Sequence, residues 1–423
     1  MSIQFPLQAD QRLDPLQITP RFKSVAGEGN IPLAIGSELF NNSAVFSPVM
    51  VMKQSALENN LQQLAIYCQE QGVMLAAHGK TSMSSTVLRR AVSQGNAWGI
   101  SAATPAQVRA MRQFGIRNIL LANQLVDPAA IRWIAQWQQS HPDHGFLCYV
   151  DSLAGVALLA QQITTTKISV LLEMSVSGGR TGCRSLSEAI KIAEAIKASS
   201  SLQLVGIAGY EGALGAQRDD QGIQQVKDYC QMMIDTAARL AAQNLFASEQ
   251  IILSAGGGAW FDIVSTCFRQ AQLPLPVIPL IRAGAYMAHD CGLYARTAPF
   301  SQTGAVHHFE PALEIWGRVL SRPEADLAFL DFGRRDVPFD QDLPNPLWIR
   351  HADGSQPREA THCRISQVND QHAYLQLPAE DKLAVGDWVG CGISHPCTAF
   401  DKWRYLPLVD NDYRVTDSVE TAF

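Results

Sequence analysis

From about residue 73 to about residue 283 the chain alternates short apolar runs with longer stretches in which apolar residues recur every three to four positions. The runs are Val73–Ala77, Ala97–Ile100, Asn118–Ala122, Gly145–Val150, Ile168–Glu173, Leu202–Ala208, Gln250–Ser254 and Pro276–Ile281, and their length predicts strands. The intervening stretches, Ser84–Ser93, Pro105–Phe114, Pro128–Gln139, Leu153–Gln162, Leu186–Ala198, Gln221–Asn244 and Trp260–Gln270, predict amphipathic helices. Eight strand–helix alternations point to an α/β fold built on a (β/α)8 TIM-type barrel. An open doubly wound sheet shares the alternation, and the count favours the barrel. Ahead of it, Pro48–Met52 predicts one more strand and Gln54–Gln71 a helix.

After about residue 300 the helical period disappears. Leu313–Ser321, Ala325–Leu330, Ala373–Leu377 and Trp388–Ile393 are strand-like and separated by Pro, Gly and Asp, which predicts a second, antiparallel β domain. The expected division is an N-terminal extension over 1–45 packing on the β domain, a barrel over 46–300, and the β domain over 301–423.

Composition removes whole classes of function. The 423 residues are 47% hydrophobic and 17% charged, and the densest apolar stretch, Leu153–Ala160, is far short of the ~20 residues that cross a bilayer. Thirty-three Lys and Arg against 39 Asp and Glu give a net charge of −6, with no basic run to attract nucleic acid or anionic lipid. Neither a nucleic acid nor a membrane is expected as partner. The first twenty residues show no basic start followed by an apolar segment, so a cytoplasmic location is expected. The nine cysteines are odd in number and lack framework spacing, as reduced thiols would be.

Chemistry-bearing residues gather where the predicted strands end. Lys80, in His78-Gly79-Lys80-Thr81, leaves the first barrel strand on the face where barrel active sites form, and a lysine there can make a Schiff base. Gly178-Gly179-Arg180-Thr181-Gly182, Gly209-Tyr210-Glu211-Gly212, Ser254-Ala255-Gly256-Gly257-Gly258 and Arg282-Ala283-Gly284-Ala285-Tyr286 each follow a later strand. The N–H groups of Gly256, Gly257 and Gly258, with a helix start behind them, suit a phosphate. Near the end of the chain, His395 and Cys397 stand two apart in Ser394-His395-Pro396-Cys397. An extended segment would put imidazole and thiolate on one side, a pair suited to Zn²⁺ before other divalent cations.

Taken in this order, the motifs resemble those of the fold-type III pyridoxal-phosphate enzymes, in particular the D-serine dehydratase and D-threonine aldolase branch, across nearly the whole chain. The resemblance implies a barrel of the alanine racemase N-terminal type holding pyridoxal 5'-phosphate, a C-terminal β domain completing the site, and a homodimer. It implies that Lys80 carries the cofactor and takes the Cα proton. His78 and Lys80 keep the family's lysine motif, Arg180 lies near the cofactor's phenolic oxygen, Tyr210 lies beside its ring, and Tyr286 lies near its phosphate. His395 and Cys397 match a two-residue metal motif that reads His-x-Cys in the dehydratases and typically His-x-Asp in the aldolases. Ala77, Gly79 and Ser82 depart from the usual Pro-His-Ala-Lys-Thr-His motif, a difference that bears on substrate shape.

The expected activity is a metal-assisted D-amino acid dehydratase acting on D-serine, with D-threonine or a 3-hydroxyaspartate behind it, and Lys80, His395 and Cys397 as its catalytic set. An aldolase releasing glycine and an aldehyde uses the same constellation and stays open. A racemase or a non-catalytic carrier of the cofactor stands further back.

Overall fold

Five of the helices that follow the apolar runs begin at a capping side chain, which sets where strand gives way to helix. In the computed structural model, which describes residues 22–26, 33–40, 42–164, 166–352 and 356–423, the chain opens with β1 (Val49–Lys53) and α1 (Gln54–Gln71). Gly72 ends α1 in the left-handed region at φ +62°, its N–H returning to Cys68 and Gln69. Then follow β2 (Met74–His78), α2 (Ser85–Ser93), β3 (Gly99–Ala102), α3 (Pro105–Gln113), β4 (Ile119–Gln124), α4 (Pro128–Ser140), β5 (Phe146–Val150) and α5 (Leu153–Gln162). The barrel is completed by β6 (Ile168–Met174), α6 (Leu186–Ala198), β7 (Leu202–Gly209), α7 (Asp220–Ala242), β8 (Ile251–Ala255), α8 (Phe261–Arg269) and β9 (Val277–Ile281). Thr104, Asp127, Ser152, Ser185 and Asp219 each accept a backbone N–H at the start of the following helix. Pro105 and Pro128 occupy first-turn positions where the missing N–H costs nothing.

Strands β2 to β9 are parallel and close into the expected eight-stranded barrel, with Met74 and Leu75 of β2 opposite Leu280 and Ile281 of β9. Its interior is filled by Ala76, Leu120, Leu147, Tyr149, Leu171, Val205, Ala208, Ile252 and Leu280, so it is a packed core and not a channel. Among the described residues no helix is long and apolar enough to cross a membrane.

The second unit is an antiparallel β structure, entered after a short helix, α9 (Leu293–Thr297). Its strands are β10 (Leu313–Glu324), β11 (Leu327–Leu330), β12 (Asn345–Arg350), β13 (Arg358–Glu359), β14 (Arg364–Val368), β15 (Ala373–Gln376), β16 (Trp388–Gly392), β17 (Tyr405–Val409) and β18 (Val415–Glu420). The main path runs β13-β12-β16-β10-β1-β17-β18, and β11, β15 and β14 extend it from β10. One feature differs from the sequence expectation. The strand near residue 50 falls in the 46–300 segment assigned to the barrel, yet β1 lies in the other sheet, antiparallel to β10 and parallel to β17. The physical reason is its pattern: four successive residues, Val49 to Met52, are fully buried, which demands cover on both faces and partners at both edges.

Of the 1–45 extension, residues 1–21, 27–32 and 41 lie outside the described residues. Phe22, Val25, Leu33 and Leu39 share an apolar cluster with Val49, Val51, Trp316, Trp388 and Tyr405 on the β structure.

Candidate active site

The C-terminal ends of the barrel strands form one mouth, and the loops leaving them carry the residues singled out above. Lys80 follows β2 and is exposed. His78, at the end of β2, has an Nδ1 that is buried without a hydrogen-bond partner. Burial first, and then the positive charges of Lys80 and Arg282, hold its pKa well below the ordinary imidazole value, so the ring is neutral. Arg180, after β6, lays its guanidinium over the Tyr210 ring at 4.6 Å from the centroid. Arg282, after β9, is buried and donates to Ser254 Oγ at 2.7 Å and to the Gly209 carbonyl at 2.5 Å, tying the ends of β7, β8 and β9 together. Tyr149, at the floor of the mouth, is buried with an unpartnered hydroxyl, 5.8 Å from Arg282 by ring centroid.

The glycine loop after β8 is tight. Gly256 has φ +84°, and a Cβ there would lie 2.9 Å from Ile281 Cγ2. A Cβ on Gly258 would lie 2.6 Å from Tyr294 Cε1. The N–H groups of Gly256 and Gly257, expected to face a phosphate, donate instead to the Glu211 carboxylate, at 3.0 Å to Oε2 and 2.6 Å to Oε1. Tyr286, expected near the phosphate, follows β9 in a 3-10 turn. It is buried in an aromatic cluster, 5.7 Å from Phe309 by ring centroids, and burial raises its hydroxyl pKa, with the Cys68 thiol of α1 adding to the effect. Tyr294 reaches the loop at Gly258, as Tyr210 does at Gly257. Burial and then the neighbouring Cys397 and Tyr210 push the Tyr294 hydroxyl above the usual range.

The metal motif reaches this mouth, though not as an extended segment. His395 sits in the left-handed region at φ +60°, ψ +77°, and Pro396–Thr398 form a single 3-10 turn. The tight turn keeps Cys397 beside the imidazole. Cys397 raises the His395 pKa most, burial opposes it, and the Asp340 carboxylate adds to the rise, so the group is pushed up to about 9. Asp340 accepts from His395 Nδ1 and, at 2.8 Å, from the Thr398 hydroxyl. Burial works against its ionisation, but these bonds from Thr398 and His395 outweigh it and hold the carboxyl below its usual pKa. On the barrel side, Thr81, adjacent to Lys80, places its hydroxyl 3.2 Å from Cys397 Sγ. The lysine loop and the metal motif are therefore in direct contact across 316 positions of sequence.

Asp290 fastens the two units. Its buried carboxylate accepts the backbone N–H groups of Gly292, Tyr294 and Ala295 on one oxygen and that of His395, at 2.8 Å, on the other. Replacing Asp290 by alanine leaves these donors without their acceptor and is expected to destabilise the protein by ~3 kcal/mol. Urea unfolding of the purified variant checks this, and an unchanged midpoint would mean that the contact is not supporting the fold.

Both non-protein groups implied by the sequence fit the residues present. The unpartnered His78 Nδ1 and Tyr149 hydroxyl, the crowded glycine loop and the cations at Lys80, Arg180 and Arg282 suit an aromatic aldehyde carrying a phosphate. An imidazole oriented by a carboxylate beside a thiol suits a borderline-soft divalent ion. Two other features stand apart from this mouth. His362, Cys363 and Asp381 have ligand atoms within 4.8 Å of one another, but Arg358 already pairs with Asp381 at 2.5 Å, and its guanidinium opposes a second cation there. A cavity of about 890 Å³ opens among the N-terminal ends of the strands, lined by Trp98, His144, Phe146, Lys167, Gln203 and Ile252. It lies at the opposite end of the barrel from Lys80.

Comparison with known proteins agrees with this architecture. Residues 52–265 match the family model for the alanine racemase N-terminal domain, and residues 312–409 match that for a putative serine dehydratase domain. A 3-hydroxy-D-aspartate aldolase of Paracoccus denitrificans (strain Pd 1222) is 24% identical over 72% of this chain and 76% of its own. Among solved structures, D-threonine aldolase from Filomicrobium marinum is similar with a TM-score of 0.77 at 21% identity, covering 92% of this chain and 98% of that one. D-threo-3-hydroxyaspartate dehydratase from Delftia sp. HT23 is similar with a TM-score of 0.70 at 19% identity, covering 89% of this chain and 97% of that one. The chain belongs to the alanine racemase N-terminal domain family and, with its second matched domain, to the fold-type III pyridoxal-phosphate enzymes.

Proposed function

We propose that this protein is a pyridoxal-phosphate- and metal-dependent lyase that dehydrates a 3-hydroxy-D-amino acid, D-serine or a 3-hydroxyaspartate first, to a keto acid and ammonia. The observation that carries this reading is the Thr81–Cys397 contact. It sets a His-x-Cys pair beside the loop of the only lysine that leaves a barrel strand among those singled out. One solved variant of the hydroxyaspartate dehydratase is described as a metal-free form, which supports a metal in that relative.

Lys80 would hold pyridoxal phosphate, with Arg180, Tyr210 and Tyr294 available to contact it, and the bound group would supply an electron sink for charge on Cα. A divalent ion held by His395 and Cys397 supplies a Lewis acid for an oxygen that is otherwise a poor leaving group. The remaining work falls to the chain. Lys80 Nζ, once free, is the base for the Cα proton. Neutral His78 nearby adds no positive charge at the lysine. Asp340 holds the His395 imidazole in one orientation, and Thr81 holds Cys397 toward the lysine loop. The Arg180 guanidinium, stacked on Tyr210, adds a fixed positive charge at the mouth.

A second reading rests on the relatives that match this chain, two of which are aldolases by name. In it the β-hydroxyl loses its proton and the Cα–Cβ bond breaks. One experiment separates the two: the purified yellow protein is treated with a chelator, restored with zinc, and assayed on D-serine, D-threonine, L-serine and 3-hydroxy-D-aspartate. Keto acid with matching ammonia from a D-substrate, lost on chelation and regained with zinc, is the expected result. Glycine with an aldehyde would make the protein an aldolase, and neither product would overturn both readings.

A further inference from the structure

Glu211 has no place in the chemistry above, yet it is fully buried at the mouth of the barrel. Its carboxylate takes the N–H groups of Gly256 and Gly257, one on each oxygen. A carboxylate in that position would repel a phosphate dianion by charge, and it already uses the first two donors of the loop. The same segment also grips the far end of the loop. The Trp260 indole N–H donates to the Gly215 carbonyl at 2.8 Å. Arg218 donates to the Ala259 carbonyl and pairs with Asp262 at 2.6 Å. Residues 211–218, which leave β7, thus clamp 256–262, which leave β8, at both ends.

Between the two grips lie the N–H groups of Gly258 and Ala259, and behind them the first turn of α8, whose N–H groups have no partner within the helix. Two peptides fixed by a bidentate acceptor determine where the next two N–H groups point, because each peptide is planar and shares a Cα with its neighbour.

We propose that Glu211 is a positioning residue. It shapes the glycine loop from beneath, so that the cofactor's phosphate is received by the N–H groups that follow Gly257 and does not touch Glu211. This rests on reading the loop as the phosphate site.

The test compares pyridoxal phosphate with pyridoxal, which lacks the phosphate, by titrating each into cofactor-stripped protein and following the yellow absorbance of the lysine-bound form. In the unaltered protein, pyridoxal phosphate should bind much more tightly than pyridoxal, and inorganic phosphate should compete with the former. Glu211→Ala removes two charge-assisted acceptors and is expected to weaken pyridoxal phosphate roughly thirtyfold while leaving pyridoxal within about threefold. Glu211→Gln keeps one acceptor oxygen and the side-chain volume, so it should weaken pyridoxal phosphate by about tenfold. It is also the variant to read if the alanine form does not fold. Tighter binding of pyridoxal phosphate in either variant would show a carboxylate that competes with the phosphate and would overturn the proposal. Equal losses for both ligands would show general damage to the mouth and would overturn it as well. If the unaltered protein itself makes no distinction between the two ligands, the phosphate assignment of the loop fails first.

Discussion

Lys80→Ala will purify as a folded, colourless protein with no measurable turnover of any 3-hydroxy-D-amino acid. Folding is expected to survive because Lys80 is exposed and its loop is held by other residues. Gly79 N–H donates to the Ser101 carbonyl, Met83 N–H donates to the Gly79 carbonyl, and Thr81 is anchored on Cys397. Colour and rate will vanish together because one amine serves as both tether and base. Loss of a positioned base alone costs roughly 10²–10⁴ in rate, before the lost attachment is counted. The checks are the absorbance spectrum, the keto acid assay and a circular dichroism spectrum matching that of the unaltered protein. A variant that stays yellow and active would remove Lys80 from the site.

Cys397→Ala should separate the two cofactors. The pyridoxal-phosphate absorbance is expected to remain, since Lys80 and the glycine loop are untouched, while turnover should fall by at least ~10²-fold and zinc should be held far more weakly. His395 would stay hydrogen-bonded to Asp340 and so stay in place, but a single imidazole is a poor anchor for a divalent ion. Metal content after dialysis against a weak chelator, measured beside the absorbance, distinguishes a lost ligand from a lost fold. If the alanine variant fails to fold, Cys397 is a packing residue and the metal reading fails with it. If it folds and keeps full activity, the thiol has no part in the reaction.

The barrel was legible because its strands are short apolar runs bounded by turn residues, and its helices begin at Thr104-Pro105, Asp127-Pro128 and Ser152, signals that act within one turn. The same local logic located Lys80, Arg180, Tyr210 and the glycine loop at strand ends. It did not reveal the acidic residues that organise the mouth. Glu211 acts on glycines 45 positions later, Asp290 on His395 105 positions later, and Asp340 on His395 from 55 positions before it. None has a spacing that announces its partner. The direction of a peptide N–H is likewise absent from a sequence, which is why three consecutive glycines read as a phosphate cradle when two of them serve a carboxylate. The conformation of His395 was unreadable for a related reason, since a positive φ in a residue with a bulky side chain is set by the contacts around it. Tyr294, a tyrosine just past the last barrel strand, stands in no motif, and only the fold brings it to Gly258.

The placement of β1 has a consequence for how this chain comes to be folded. Met50 faces Ile315, and Met52 pairs with Leu408, so a central strand of the second sheet is made first and must wait while the whole barrel is synthesised. Pairings that join such distant residues form slowly, because the entropy of closing the loop is lost before any contact compensates for it. The barrel is thus an insertion within a β structure, and the ribosome releases an apolar strand long before its neighbours exist. Truncation just after Lys53 would leave the barrel's own strands intact and split the second sheet between β10 and β17, leaving His395 and Cys397 on the link between two halves that no longer share a strand.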